Sequence, residues 1–321
     1  MNAGVPLGLS SGLCWGAADF FGGIQSRRLP ALTVAFWSQL AGALALAIAL
    51  AIGGVRPAAT GIAWGLAAGV GSGCALVLFY RSLAEGTMSM VAPISACGAI
   101  VPVAAALLTG NQPGVLAALG VLATIAGVIL VSRPHTPARF APPAVEGDQA
   151  SPASPASSAK GGRRVVAMAL GSALGFGLFY VFVDAGAAST AGTAATTGAV
   201  AAAAAGTAGS LGSPLWVIAG ARMSSLAILS MIALVSRRSA LRWPGRRIGA
   251  VALVGIGDTG ANLLFAYAAT TGNLAVVGVL GSLYPVATVV LARWLLRERL
   301  SGGQNVGVVL ALTGVVLLAA A

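Results

Sequence analysis

The chain has 321 residues, of which 58% are hydrophobic and only 8% charged, with a mean hydropathy of +0.93, against about 25% charged residues in soluble globular domains. So few charges cannot cover a folded chain with polar surface, which excludes a soluble domain and makes the formal net charge of +11 a matter of membrane orientation, not of nucleic-acid binding. Three cysteines without CxxC spacing, a single histidine and the absence of a G-x-x-x-x-G-K-[ST] pattern leave no disulfide framework, metal site or ATP-binding loop to expect.

Runs of about 20 apolar residues are long enough to cross a hydrocarbon core about 30 Å thick. Ten are predicted, at 6–24, 31–53, 61–80, 88–109, 113–132, 165–187, 214–235, 248–269, 274–295 and 302–321. None shows the period-two alternation of a barrel strand, so the expected fold is an all-α membrane protein with ten transmembrane helices. The first run has no positive segment ahead of it and no cleavage site, and is expected to be a retained span. It carries Trp15 and Asp19, with Gly8, Gly12 and Gly16 spaced for close helix packing. Span 3 repeats that spacing with Gly61, Gly65, Gly69 and Gly73 and ends in Phe79, Tyr80 and Arg81. Pro93 and Pro102 are expected to break span 4, as Pro285 is to break span 9. Cys14, Cys74 and Cys97 lie in apolar spans and are expected to be small packing residues.

Residues 133–164, which hold His135, are rich in Pro, Ala and Ser and too polar to span; a flexible linker is predicted there. Span 6 carries Phe176, Tyr180 and Asp184, and the Ala/Gly/Thr-rich stretch 189–213 is expected to be a loop or helical extension. Span 7 holds Arg222. Span 8 contains VGIGDTGAN (254–262), with G-x-G-x-x-G spacing. That spacing marks a dinucleotide site only after a strand and within a βαβ unit; inside an apolar run it predicts a packing face, continued by Gly249, Gly257 and Ala261. Span 9 opens with Tyr284, and Trp64, Trp216, Trp243 and Trp294 lie near span ends, where interfacial anchoring is expected.

All basic residues except Arg56 and Arg222 fall in or beside the loops after spans 1, 3, 5, 7 and 9: Arg27 and Arg28; Arg81; Arg133, Arg139, Lys160, Arg163 and Arg164; Arg237, Arg238, Arg242, Arg246 and Arg247; Arg293, Arg297 and Arg299. By the positive-inside rule these loops are cytoplasmic and both termini outside. The halves also resemble each other: LSSGLCWG (9–16) matches LGSALGFG (170–177), and GVLATIAGVIL (120–130) matches GVVLALTGVVL (307–317). The offset grows along the chain, which places an insertion at 189–213. Residues 1–132 and 165–321 are thus expected to be two five-helix repeats, and an odd span number inverts the second copy, the architecture of secondary transporters.

Trp15-Gly16, YRSLAEGTMSMVAPIS (80–95) and SLYPVATVVLARWLLRERLS (282–301), in this order within two five-span halves, resemble an EamA-type member of the drug/metabolite transporter superfamily. The likeness covers the chain apart from the linker and insertion. It implies a central cavity lined by spans 1, 3, 4, 6, 8 and 9 and the movement of small metabolites or drugs, usually out of the cell. The bend in span 4 departs from strict symmetry with span 9, since Gly86 to Pro102 is longer than Gly272 to Pro285.

Ionisable groups inside spans cost about 2.5–3.5 kcal/mol on insertion scales, which makes Asp19, Asp184, Arg222 and Asp258 candidates for function. Arg222 cannot be neutralised by losing its proton and needs a carboxylate, carbonyls or water. Asp258 and Asn262 lie one turn apart on one helix face and could offer hydrogen bonds to a polar solute, or an exchangeable proton; a structural Arg–Asp pair fixing helix register is the alternative. Trp15, Phe79, Tyr80, Phe176, Tyr180 and Tyr284 are candidate walls of a site. Glu85 with Arg81, and Glu298 with Arg297 or Arg299, are expected at cytoplasmic span ends, either solvated or latching a gate.

The expected function is therefore a secondary transporter, exporting a small organic solute by alternating access, with Asp258 or Asp19 as proton acceptor. A metabolite importer or facilitator and a lipid-headgroup flippase are the alternatives. With no nucleophile–base pair and no paired carboxylates on one helix face, no enzyme activity, catalytic residue, cofactor or metal is expected. The expected partners are a small-molecule solute and membrane lipid, with no nucleic acid and with a homodimer left open. The expected location is a bacterial plasma (inner) membrane.

Overall fold

The structure, a computed structural model, describes residues 4–54, 57–108, 114–131, 155–196, 208–236, 242–271, 280–281 and 283–319. All regular structure among them is helical: α1 (Gly4–Ser26), α2 (Ala31–Ile52), α3 (Ala59–Glu85), α4 (Met88–Ala96), α5 (Ile100–Leu108), α6 (Val115–Val131), α7 (Pro155–Thr196), α8 (Ala208–Val235), α9 (Ile248–Thr271), α10 (Tyr284–Leu295) and α11 (Gly302–Ala319). Six stretches are long and apolar enough to cross a membrane: Ala31–Ile52, Ala59–Glu85, Met88–Ala105, Gly161–Val183, Leu215–Val235 and Gly245–Phe265. Val115–Val131, Tyr284–Leu295 and Gly302–Leu318 are apolar but shorter. In lipid only a helix satisfies its own backbone groups, which is why runs this apolar take no other form.

Span 4 is broken as expected, and two other elements differ from the sequence expectation. The fourth run is divided into α4 and α5 by a 3₁₀ turn at Cys97–Ala99. Pro93 and Pro102 flank that turn and lack the N–H groups that would bond one turn back, and the Cys97 thiol donates to Pro93 O (3.1 Å). Pro285 instead lies in the first turn of α10, where a missing N–H is no loss; the expected start of the ninth span, 272–279, lies outside the described residues. Helix α7 begins at Pro155, ahead of the apolar run at 165, and continues into the insertion as far as Thr196. The rest of the linker with His135, and residues 197–207, lie outside the described residues.

The two halves interlock. From the first half, α3 packs along α7 and α8; from the second, α9 packs along α1 and α2; α6 pairs with α11, α1 with α10, and α4 with α7. Small residues permit these approaches, since packing and not water exclusion drives helix association in lipid. A Cβ on Gly65 or Gly69 would collide with the backbone of α8 at Val217 or Ala221, and one on Gly127 would meet Ala311 of α11. At the α2–α9 crossing a Cβ on Gly255 would overlap Ser38 O. The other glycines of GIGDTG do not pack this way, contrary to expectation. Gly257 has only Ala18 Cβ at 4.0 Å, and Gly260 and Gly249 have nothing within 4 Å. Ala261 is fully buried and accepts from Ser11 Oγ (2.8 Å).

Large apolar side chains such as Leu13, Ile48, Leu122, Leu174 and Val309 stand exposed on the outer faces, as a lipid-facing surface requires. Cys97 is buried, but Cys74 is exposed, so packing does not explain it. Trp243 and Trp294 are largely exposed near helix ends, whereas Trp64 is half-buried and tilted on Phe182 (6.3 Å).

Gly69→Ala is expected to lower detergent thermal stability sharply, the overpacking alone costing about 1–3 kcal/mol. Gly260→Ala, with open space around it, leaves stability unchanged or raised by a few tenths of a kcal/mol; matched thermal denaturation of the two variants measures the difference.

Candidate functional site

A guanidinium in the interior dictates its own surroundings. Arg222 on α8 is only 7% exposed and permanently charged. Nη2 donates to Asp258 Oδ2 of α9 in an ion pair and to Thr259 Oγ1 (3.3 Å), while Nη1 donates to Gln39 Oε1 of α2. Thr259 Oγ1 in turn donates to Gly42 O (3.0 Å). Gly42 makes the room: a Cβ there would stand 2.7 Å from Thr259 Oγ1 and 3.2 Å from Arg222 Nη1. One charge thus gathers three helices, two from the second half and one from the first.

The carboxylate of this pair is more open than the cation. The Asp258 side chain is 36% exposed against 8% for Arg222, so the anion is the more accessible partner of the pair. Asn262, one turn further along α9, donates Nδ2 to Asp258 O (2.6 Å), which ties the amide to its own helix. Asp19 of α1 lies within electrostatic range of Asp258, and both carboxylates act on Tyr80 and Tyr180. Tyr284 of α10 senses both Tyr180 and Asp19. Tyr180 is 44% exposed.

Arg222, Asp258 and Asn262 are thus joined by hydrogen bonds, with Asp19, Tyr80, Tyr180 and Tyr284 within electrostatic range of the group. Tyr80 is the most enclosed, 4% exposed, with its ring against Gly22 of α1. Phe176 packs edge-on against Phe79 (5.7 Å), which joins it to the core, and Trp15 lies tilted on Phe265 (5.5 Å). The Asp184 side chain lies outside the described residues. Two members escaped the sequence reading, Gln39 and Thr259. Gln39 carried only a faint signal, an amide inside LTVAFWSQLAGALALAI (32–48), which costs less to bury than the charged groups already singled out. Thr259, able to bond its own helix, carried none. Among the described residues no three His, Cys, Asp or Glu side chains converge on a metal position.

The family described as "EamA-like transporter family" matches residues 2–133 and 163–320. No curated protein matches the sequence. A solved crystal structure of a protein is similar at a TM-score of 0.58 and 16% identity, over 98% of this chain and 95% of that one; at that identity the likeness is one of fold.

Removing one member of a buried ion pair strands the other, at about 3–5 kcal/mol. Asp258→Asn, which leaves the buried guanidinium unneutralised, is expected to destabilise more than Arg222→Met, which leaves a carboxylate that is already part-exposed. The double variant loses less than the sum of the two. Detergent melting of all four proteins as a double-mutant cycle checks this.

Proposed function

We propose that this chain, which belongs to the EamA-like transporter family and is a multi-pass membrane protein, is a ten-span secondary carrier that exports a small organic solute in exchange for protons. The observation that carries the reading is the buried Arg222 shared among Asp258, Thr259 and Gln39, with Asp19 in range and the Asp258 carboxylate part-exposed. Two carboxylates and one fixed cation leave the group with one net negative charge when both acids are ionised. A proton and a solute that donates hydrogen bonds then compete for the same oxygens. Such competition is what exchange requires, because the carrier releases one ligand by taking the other.

The helix pairing supports two inverted five-helix repeats, 1–132 and 165–321, joined by the linker 133–164. Helix α3 meets the first two helices of the second half and α9 the first two of the first, as a pseudo-two-fold axis in the membrane plane demands. The site lies where the halves meet. The arginine-rich loops favour a cytoplasmic linker with both termini outside, in a bacterial plasma membrane on this reading. When Asp258 is protonated, the Arg222 guanidinium retains Gln39 Oε1 and Thr259 Oγ1, so the cation stays solvated by the protein while its charge partner is discharged.

One observation favours a second reading, a flippase for amphiphiles. A cleft of about 430 Å³ between α2 and α8, lined by Leu46, Leu50, Trp216 and Met223, has Arg222 at its floor. An acyl chain could lie in it while a headgroup reached the guanidinium.

Cells producing the wild type and Asp258→Asn at matched membrane levels, compared by mass spectrometry of medium and extract, test the carrier reading. A solute is expected to accumulate outside with the wild type and to fall at least tenfold with the variant. In inside-out vesicles, uptake of that solute is expected to rise with an acidic lumen. Uptake indifferent to the proton gradient overturns the exchange, and enrichment of a lipid in the outer leaflet instead selects the flippase.

A further inference from the structure

Glu298, in the loop between α10 and α11, does not pair with its neighbours Arg297 or Arg299 as the sequence suggested. Its Oε1 accepts from the backbone N–H of Met88 (3.0 Å) and its Oε2 from that of Ser89 (2.9 Å), the first residues of α4. Those N–H groups have no partner within their own helix, and the end of a helix that bears them attracts an anion. Arg27, at the end of α1, completes the cluster: Nη2 reaches Glu298 Oε1 (3.2 Å) and Gly86 O (3.2 Å), and Nε reaches Leu83 O (3.4 Å). The Glu298 side chain is only 9% exposed against 33% for Arg27, so its bonds to the two N–H groups are shielded while the ion pair stays partly screened by solvent.

The backbone is shaped to deliver this side chain. Arg297 is the one non-glycine among the described residues with a positive φ, 54°, and it turns the chain so that Glu298 N–H reaches back to Ala292 O (3.4 Å). Left-handed backbone at a residue other than glycine is strained, and persists where its surroundings hold it. On the far side of the loop Ser301 and Gln304 form a reciprocal capping box: Gln304 N–H donates to Ser301 Oγ and Ser301 N–H to Gln304 Oε1, each at 3.2 Å. Arg293 Nη1 clamps Asn305 Oδ1 (3.0 Å) across it. A short loop fixed at both ends thus presents one carboxylate from the second half to two elements of the first. The loop at the corresponding place in the first half, GNQPG (110–114), has no carboxylate in its sequence.

We infer that Glu298 is a one-sided latch, holding the halves together at the arginine-rich face, and that its withdrawal from α4 and Arg27 opens the solute path there. This rests on the carrier reading, in which the halves rock against each other. Two polar atoms at that end, Gln25 Oε1 and Ser89 Oγ, are buried without a partner, so opening would hydrate them and lower its own barrier. The exposed pairs of Glu85 with Arg81 (3.1 Å) and Arg164 (3.6 Å) lie at the same end of α3 and serve as a control.

The test reads accessibility, not transport. In full-length protein with Cys14, Cys74 and Cys97 replaced by alanine, Ser89→Cys places a reporter under the latch. Its reaction rate with a membrane-impermeant maleimide is measured in inside-out vesicles and in intact spheroplasts. Loss of the charge-assisted bonds in Glu298→Ala is expected to raise the rate about tenfold in inside-out vesicles, Arg27→Gln to raise it about threefold, and Glu85→Gln to leave it unchanged. Should Glu298→Ala not fold, Arg27→Gln, which spares the bonds to α4, decides alone. No rise from either side of the membrane in a folded variant overturns the latch, whatever transport does. Rates that rise as expected in a protein that moves no solute uphold it and count against the carrier instead.

Discussion

The close approach of backbones across the two halves is the constraint on which the other features depend. In lipid there is no water to expel from between helices, so α3 lies against α8, and α9 against α2, because Gly65, Gly69, Gly42 and Gly255 present no side chain at the crossings. Those contacts fix how deep Arg222 sits. They also bring Gln39 within a hydrogen bond of it, since Gly42, one turn below Gln39 and without a Cβ, lets the guanidinium stand between α2 and α9. A bulkier crossing would push the helices apart and leave a cation in hydrocarbon with a single partner.

The arrangement separates two tasks that a buried charge can perform. Thr259 and Gln39 hold the guanidinium whether or not Asp258 is ionised, and so secure helix register. Asp258, more than a third exposed, is free to change partner. The structural and the functional explanations of an intramembrane Arg–Asp pair are therefore compatible here, because the cation and the anion occupy different environments.

Much of this was legible in the sequence. Apolar runs located most of the helices, though not the reach of α7, since hydrocarbon favours a backbone that bonds to itself, and the costly groups Asp19, Arg222 and Asp258 stood out against them. What failed was anything that depends on a neighbour. Gly255 packs and Gly257 and Gly260 do not, although one motif contains all three, because the side of α9 that meets α2 is not written in α9 alone. Glu298 likewise passed over the arginines on either side of it for a helix end more than two hundred residues away in sequence. Gln39 was missed for a different reason: an uncharged amide is conspicuous only once its guanidinium partner is known to be near.

Helix α7 has a further consequence. Its 42 residues make a rod about 63 Å long at 1.5 Å per residue, roughly twice the thickness of the hydrocarbon core, so it must project into water beyond the bilayer. A rigid lever of that length converts a small tilt of the second half into a displacement of several ångströms at its tips. A pair of spectroscopic labels set on that rod and on the end of a first-half helix would report any tilt of one half against the other as a change in distance.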